Sequence, residues 1–310
     1  MNTPSNAVPG STLDAQPIAP ALESPTRPLY WSIRRELWEY RSIYIAPLAA
    51  AAVFLFGFSI SMFRLPQKMR DLSALDPMRQ QELVRQPYTY AALLIMGTTF
   101  VVAFFYCLDA LQGERRDRSI LFWKSLPVSD LTTVLSKASV PLVILPLVTS
   151  AVTVVTHWIM WLLSSMVLAA SGVGAEALWS RFSLMQMTAT VVYHLIAIHG
   201  LWYAPFYCWL LLVSAWARRM AFLWAVIPVL VLNALEKIAL NTTHFAALLI
   251  RHAGGAPANA AFTSGHMSMD PLAAMPLGAF LSSPGLWIGL VFAALFLAGA
   301  VRLRRYREPI

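Results

Sequence analysis

The chain has 310 residues, of which 58% are apolar and only 12% charged, with a formal net charge of +8. Soluble domains carry about 25% charged residues, so this composition cannot cover a water-facing globule. It excludes an ordinary soluble enzyme, a disordered protein and a nucleic-acid module, and leaves a polytopic membrane protein whose basic excess marks cytoplasmic loops.

Residues 1–28 are rich in Pro, Ser, Thr and Ala and hold no apolar run. They read as a disordered cytoplasmic tail rather than a secretory signal. From 29 to 42, Leu29, Ile33, Leu37 and Tyr40 recur at helical spacing, with Arg34, Arg35, Glu36, Glu39 and Arg41 filling the other positions. Together with Trp31 and Trp38 they predict a basic amphipathic helix on the membrane surface, the alternative being a cytoplasmic extension of the first span. A span needs about 20 apolar residues to cross roughly 30 Å of hydrocarbon. Six segments qualify: 43–63, 89–108, 138–170, 187–216, 220–240 and 286–302. The third and fourth are longer than required, and Pro141 and Pro146 predict a kink near the start of the third.

Six spans put both termini on one side. With the termini, the 109–137 loop and the turn at Arg218–Arg219 inside, fifteen Lys and Arg lie inside and eight outside. The bias predicts N-in/C-in, with Arg302, Arg304, Arg305 and Arg307 as the C-terminal anchor. Cys107 and Cys208 both fall inside apolar blocks and imply no disulfide framework.

The loop 109–137 is the most informative segment. It opens on Glu114, Arg115, Arg116, Asp117 and Arg118, continues through Ile120, Leu121, Phe122, Trp123 and Leu126, and is cut by Pro127. Proline disfavours a helical residue ahead of it, so one short helix ends there. Ser129 can cap the next, with Asp130 in its first turn and Leu131, Val134 and Leu135 along one face. A cytoplasmic loop that displays Phe122, Trp123 and Leu126 predicts a partner interface, unless these side chains dip into the lipid headgroups.

Glu114-Arg115, then Ser119-Ile120-Leu121, then Ser125-Leu126-Pro127-Val128-Ser129, then Leu135 and Lys137 form a pattern that resembles the membrane subunits of ABC-2 type transporters. The motif covers only about 114–137, while the six-span architecture covers about 29–307. The resemblance implies an all-α permease domain over 29–307, with the 29–42 segment as the family's elbow helix (Trp31, Arg34, Arg35, Trp38). It implies a coupling helix seated in a cleft of an ATPase subunit, carried here by Glu114, Arg115, Ile120, Leu121, Phe122, Trp123, Leu126 and Pro127. It further implies a second permease copy or paralogue, export as the direction, and the inner membrane of a bacterium as the location.

None of the lysines, Lys68, Lys124, Lys137 and Lys237, follows a glycine, so the chain has no phosphate-cradling loop of its own. ATP and Mg²⁺ are expected on the partner ATPase, no cofactor or metal in this chain, no catalytic residue, and no nucleic-acid partner. No histidine is followed by glutamate, which excludes the HExxH zinc pattern. His157, His194 and His199 lie in spans and are candidates to line a translocation path, or else hydrogen-bond packed helices. His194 and His199 are five residues apart, about 140° around an α-helix, which separates them on opposite faces. Glu236 and Lys237 read as an interfacial pair. In the outer loop 241–285, the apolar stretches 243–250 and 271–281 are too short to span and suit re-entrant or interfacial helices, with a flexible stretch at 253–266 between them. The apolar, aromatic spans favour a lipid, a hydrophobic drug or a peptide as cargo. The competing expectation is a membrane scaffold or sensor subunit that moves no solute.

Overall fold

A computed structural model describes residues 26–72, 75–125, 128–172, 183–253 and 277–306. The expected tail before residue 26, Leu126, Pro127, Arg307 and most of 253–276 lie outside them. Among the described residues every regular element is helical. Six helical segments are long and apolar enough to cross a membrane, which makes this an all-helical membrane protein.

The first described helix, α1 (Thr26–Glu39), leads through a two-residue break at Tyr40 and Arg41 into the first span, α2 (Ser42–Ser61). A 3₁₀ turn (Met62–Arg64) and α3 (Leu65–Leu72) extend that span. The second span, α4 (Pro77–Asp109), starts with proline at its first position, where the missing N–H costs nothing. Two short helices follow, α5 (Gln112–Arg116) and α6 (Ser119–Ser125), and then α7 (Asp130–Ser139). The Ser129 hydroxyl accepts the Thr132 N–H at 3.1 Å, so the expected cap is present.

The third span is continuous from Asp130 to Ala170. Where Pro141 predicts a kink, a π turn at Val140–Ile144 lies between α7 and α8 (Leu145–Ala170). Pro141 offers no N–H to the carbonyl one turn back, and the wider turn absorbs the mismatch. The fourth span is α9 (Leu184–His194), a second π segment (Leu195–Trp202), and α10 (Ala204–Trp216), with Pro205 marking a break at Tyr203. Met220, at φ 53°, closes the tight turn after Arg218 and Arg219. Then come the fifth span α11 (Ala221–Leu240), α12 (His244–Ala253), α13 (Leu277–Leu281) and the last span α14 (Pro284–Tyr306).

Packing follows membrane rules, in which small residues let helices approach and polar side chains bond across them. Ala91, Ala92 and Ala103 of α4 are buried against α2, α8 and α10, and the Thr149 hydroxyl donates to that of Thr99 at 2.9 Å. The two π segments meet at Gly200, where a Cβ would stand 2.9 Å from the Leu142 carbonyl oxygen. Only a glycine permits that approach. By contrast α11 buries just Ala221 and Ala225 and leaves Phe222, Leu230 and Ile238 exposed. In a bilayer such a face meets acyl chains as apolar as itself.

Two sequence expectations need correction here. Leu131 and Leu135 of α7 are exposed, while the opposite face, with Val134 and Lys137, is buried, because Lys137 finds carboxylates there. Glu236 does not pair with Lys237. Its carboxylate accepts from the N–H groups of His244 and Phe245 at 2.6 and 2.8 Å and from the Thr242 hydroxyl at 2.8 Å. It therefore caps α12, whose first N–H groups lack partners inside the helix.

Candidate functional site

Where α1, α5, α7 and α14 meet, charged side chains from four separate segments converge out of solvent. Glu36 of α1 is fully buried. Its Oε1 accepts from Lys137 Nζ at 2.9 Å and from Arg35 Nη2 at 2.6 Å, and its Oε2 accepts from the Tyr106 hydroxyl at 2.9 Å. Glu114 of α5 sits beside it. Its Oε1 lies 2.9 Å from Arg35 Nη2 and 3.1 Å from Lys137 Nζ, and its Oε2 accepts from Arg304 of α14. Arg304 Nε reaches on to Asp130 at 3.2 Å, at the start of α7. Three cations, Arg35, Lys137 and Arg304, thus face three carboxylates, Glu36, Glu114 and Asp130.

Balance of charge is what makes this burial tolerable. Withdrawing an ion from water costs several kcal/mol, and only close opposite charges with filled hydrogen-bond positions recover it. The environment shows in the titration of Arg35: burial opposes its charge, but Glu36 and Glu114 raise its pKa above the ordinary value. Burial and then the neighbouring Glu36 raise the pKa of Glu39, which stands 3.8 Å from Arg35 at the rim. At the edge of the cluster the Tyr40 hydroxyl donates to Asp109 at 3.0 Å, and burial together with that carboxylate pushes the phenol up.

The junction between α4 and α5, beside the cluster, is fixed separately. The Ser214 hydroxyl of α10 accepts the backbone N–H groups of Leu111 and Gln112 at 3.0 and 2.9 Å. Arg115 donates to the carbonyls of Ser214 and Ala217, the last residues before the Arg218–Arg219 turn. Glu114, Arg115 and Ile120 therefore point inward and are not part of a displayed surface. Leu121 and Phe122 do project, at 57% and 60% exposure. The side chain of Trp123, and all of Leu126 and Pro127, lie outside the described residues.

On the outer face of α1, the Arg34 guanidinium lies 5.2 Å from the Trp31 ring and 4.8 Å from that of Trp38, both rings exposed. Arg35 departs from the expected surface position and turns into the cluster.

Sequence reading missed the cluster as a unit. Lys137 entered through the motif, Asp130 as a helix-start charge and Arg304 as a membrane anchor. One signal was available: Glu36 falls on the stripe Leu29, Ile33, Tyr40, spaced for the buried face.

Of the histidines in the spans, His157 and His199 are buried and His194 is half-buried. His157 of α8 is fully buried and its Nε2 lies 3.0 Å from the Tyr88 carbonyl. A carbonyl only accepts, so Nε2 carries the proton and Nδ1 is left as a bare acceptor without a partner among the described residues. One turn earlier the Thr153 hydroxyl is likewise unpartnered. His194 and His199 do not stand on opposite sides. Their rings are 6.2 Å apart, because π turns bond i to i+5 and stack residues five apart. Among the described residues no group of three or more His, Cys, Asp or Glu side chains could hold a metal ion, and Cys107 and Cys208 are free and buried. Comparisons with protein-family models, curated proteins and solved structures return no match.

Proposed function

We propose that this chain is the membrane subunit of an ATP-driven transporter of the ABC-2 type, oriented N-in/C-in in a bacterial inner membrane. ATP and Mg²⁺ bind a separate ATPase subunit, and a second permease copy or paralogue completes the path. The observation that carries the reading is the position of the ion cluster. It joins the segment that displays Leu121 and Phe122 to α1, to the third span through α7, and to the last span through Arg304. A partner that pushes on α6 moves Glu114 and, with it, three other segments.

In this reading α1 is the elbow helix, its Trp31–Arg34–Trp38 ladder at the headgroups. The segments α12 and α13 are the re-entrant helices of the outer exit, and the little-buried α11 offers a flank to the second permease unit. His157, His194 and His199 line the path. The cargo is a lipid, a hydrophobic drug or a peptide, moved outward.

The test is purification of the tagged chain from its native host in mild detergent, with mass spectrometry of what accompanies it. Wild type runs beside Leu121→Glu/Phe122→Glu. A stoichiometric ATPase that the variant loses supports the reading. A well-folded complex without any nucleotide-binding partner overturns it in favour of a scaffold subunit.

A further inference from the structure

At the end of the bundle remote from the ion cluster, the last turns of α2, the 3₁₀ turn, α3, α4 and α8 enclose an open trough of about 550 Å³. That volume lies within the roughly 300–1,000 Å³ range of small-molecule sites. Gly57 lines the trough, and a Cβ there would meet nothing within 4 Å. Its floor is apolar, with Phe58, Met62, Val84 and Tyr88 buried beneath it.

The rim is of opposite character. Arg64 and Lys68 stand one helical turn apart, both exposed, and neither has an ion-pair partner among the described residues. Among the described residues no carboxylate lines the trough, and Glu82 of α4 pairs with Arg79 at 3.7 Å. On the wall, Pro87 has no N–H to give the Leu83 carbonyl one turn earlier, so that acceptor is free of its usual helical donor.

Two cations over an apolar floor at the end of a span select an anionic amphiphile. A small soluble anion would make no use of Phe58, Met62 and Tyr88. A zwitterionic lipid would bring its own cation to a rim that already carries two. We propose that the trough binds one anionic phospholipid of the surrounding bilayer. Its phosphate sits between Arg64 and Lys68, its acyl chain lies over the floor, and a headgroup hydroxyl, as in phosphatidylglycerol, meets the Leu83 carbonyl. Arg64 supplies a planar fork for two phosphate oxygens, and the long stem of Lys68 covers apolar surface while its ammonium stays at the headgroups.

The full chain is reconstituted into phosphatidylcholine vesicles that carry a trace of diazirine-tailed phosphatidylglycerol or, in parallel, diazirine-tailed phosphatidylcholine. Labelled peptides are mapped after illumination. Phosphatidylglycerol label should concentrate on peptides covering 57–69 and 83–88, and phosphatidylcholine label should not. Each cation donates charge-assisted hydrogen bonds to the phosphate, so Arg64→Gln and Lys68→Gln should each lower the label, and the pair should lower it further. Both residues are exposed, so these variants keep the fold. Gly57→Phe fills the trough and lowers labelling with either lipid. Equal labelling by the two lipids overturns the proposal, as does label unchanged in the Arg64→Gln/Lys68→Gln chain. Displacement by millimolar glycerol phosphate overturns it too, by assigning the rim to a free anion.

Discussion

Glu36 and Lys137 lie 101 residues apart in sequence and are joined by a 2.9 Å salt bridge in which neither side chain is more than 1% exposed. The pair ties α1 directly to α7, while Glu36 also holds Arg35 and Lys137 also holds Glu114. Removing one member of a buried pair costs roughly 3–5 kcal/mol, most of it the penalty of the stranded partner. Glu36→Ala and Lys137→Ala should each lower the thermal midpoint sharply in detergent. The double variant should lose much less than the two losses combined, since both charges leave together. Strictly additive midpoints would mean that the two side chains do not act as a pair.

The spans were legible because each is an apolar run bounded by charge, and length alone fixes what can cross a bilayer. Ser129 was legible as a cap for the same local reason. The cluster was not, because Arg304 among Arg302 and Arg305 has the same local pattern as any cytoplasmic anchor, and only tertiary contact with Glu114 distinguishes it. Leu131 and Leu135 misled by their spacing: their face points outward, and the polar Lys137 takes the interior. The relation of His194 to His199 failed for another reason. It assumed α-helical rotation, and a π turn is a change of hydrogen-bond register that apolar periodicity does not encode.

Arg304 spans two carboxylates, Glu114 through one nitrogen and Asp130 through Nε. Lysine lacks the planar fork and the Nε donor through which Arg304 holds Asp130. Arg304→Lys should keep α14 docked but loosen the start of α7, whereas Arg304→Ala should free both. Hydrogen exchange across 130–137 and 300–306 separates these cases. Protection at 130–137 that is unaltered by Arg304→Ala would show that the Asp130 contact contributes nothing.

α12 is held by a reciprocal clasp. Trp202 Nε1 donates to the His252 carbonyl and His252 Nε2 donates to the Trp202 carbonyl, both at 2.7 Å, with the rings stacked 4.6 Å apart. Burial lowers the pKa of His252 below its ordinary 6.5, and the hydrogen bond to Trp202 offsets only part of that. A docked histidine that binds protons less readily than a released one loses docking free energy as pH falls below about 6.5. Cysteine accessibility or hydrogen exchange over 244–253 should therefore rise on acidification, and His252→Phe should abolish the pH dependence while keeping the stacking. A pH-dependent opening that persists in His252→Phe would assign the proton to another group.

Gly200 decides how closely the third and fourth spans approach. A Cβ at this position would stand 2.9 Å from the Leu142 carbonyl oxygen, a backbone atom that cannot swing aside as a flexible side chain would. Both segments are π turns there, so the contact joins the two places where the helices are least regular. Overpacking of this kind costs about 1–3 kcal/mol, and here the strain is relieved only by moving one span against the other. Gly97 of α4 is the control, since a Cβ there meets nothing within 4 Å. Gly97→Ala should be neutral or slightly stabilising, because alanine is favoured over glycine inside a helix by about 1 kcal/mol. Gly200→Ala should lower the thermal midpoint in spite of the same helical gain, and Gly200→Val should lower it further. If Gly200→Ala behaved like Gly97→Ala, the two π segments would not be in backbone contact.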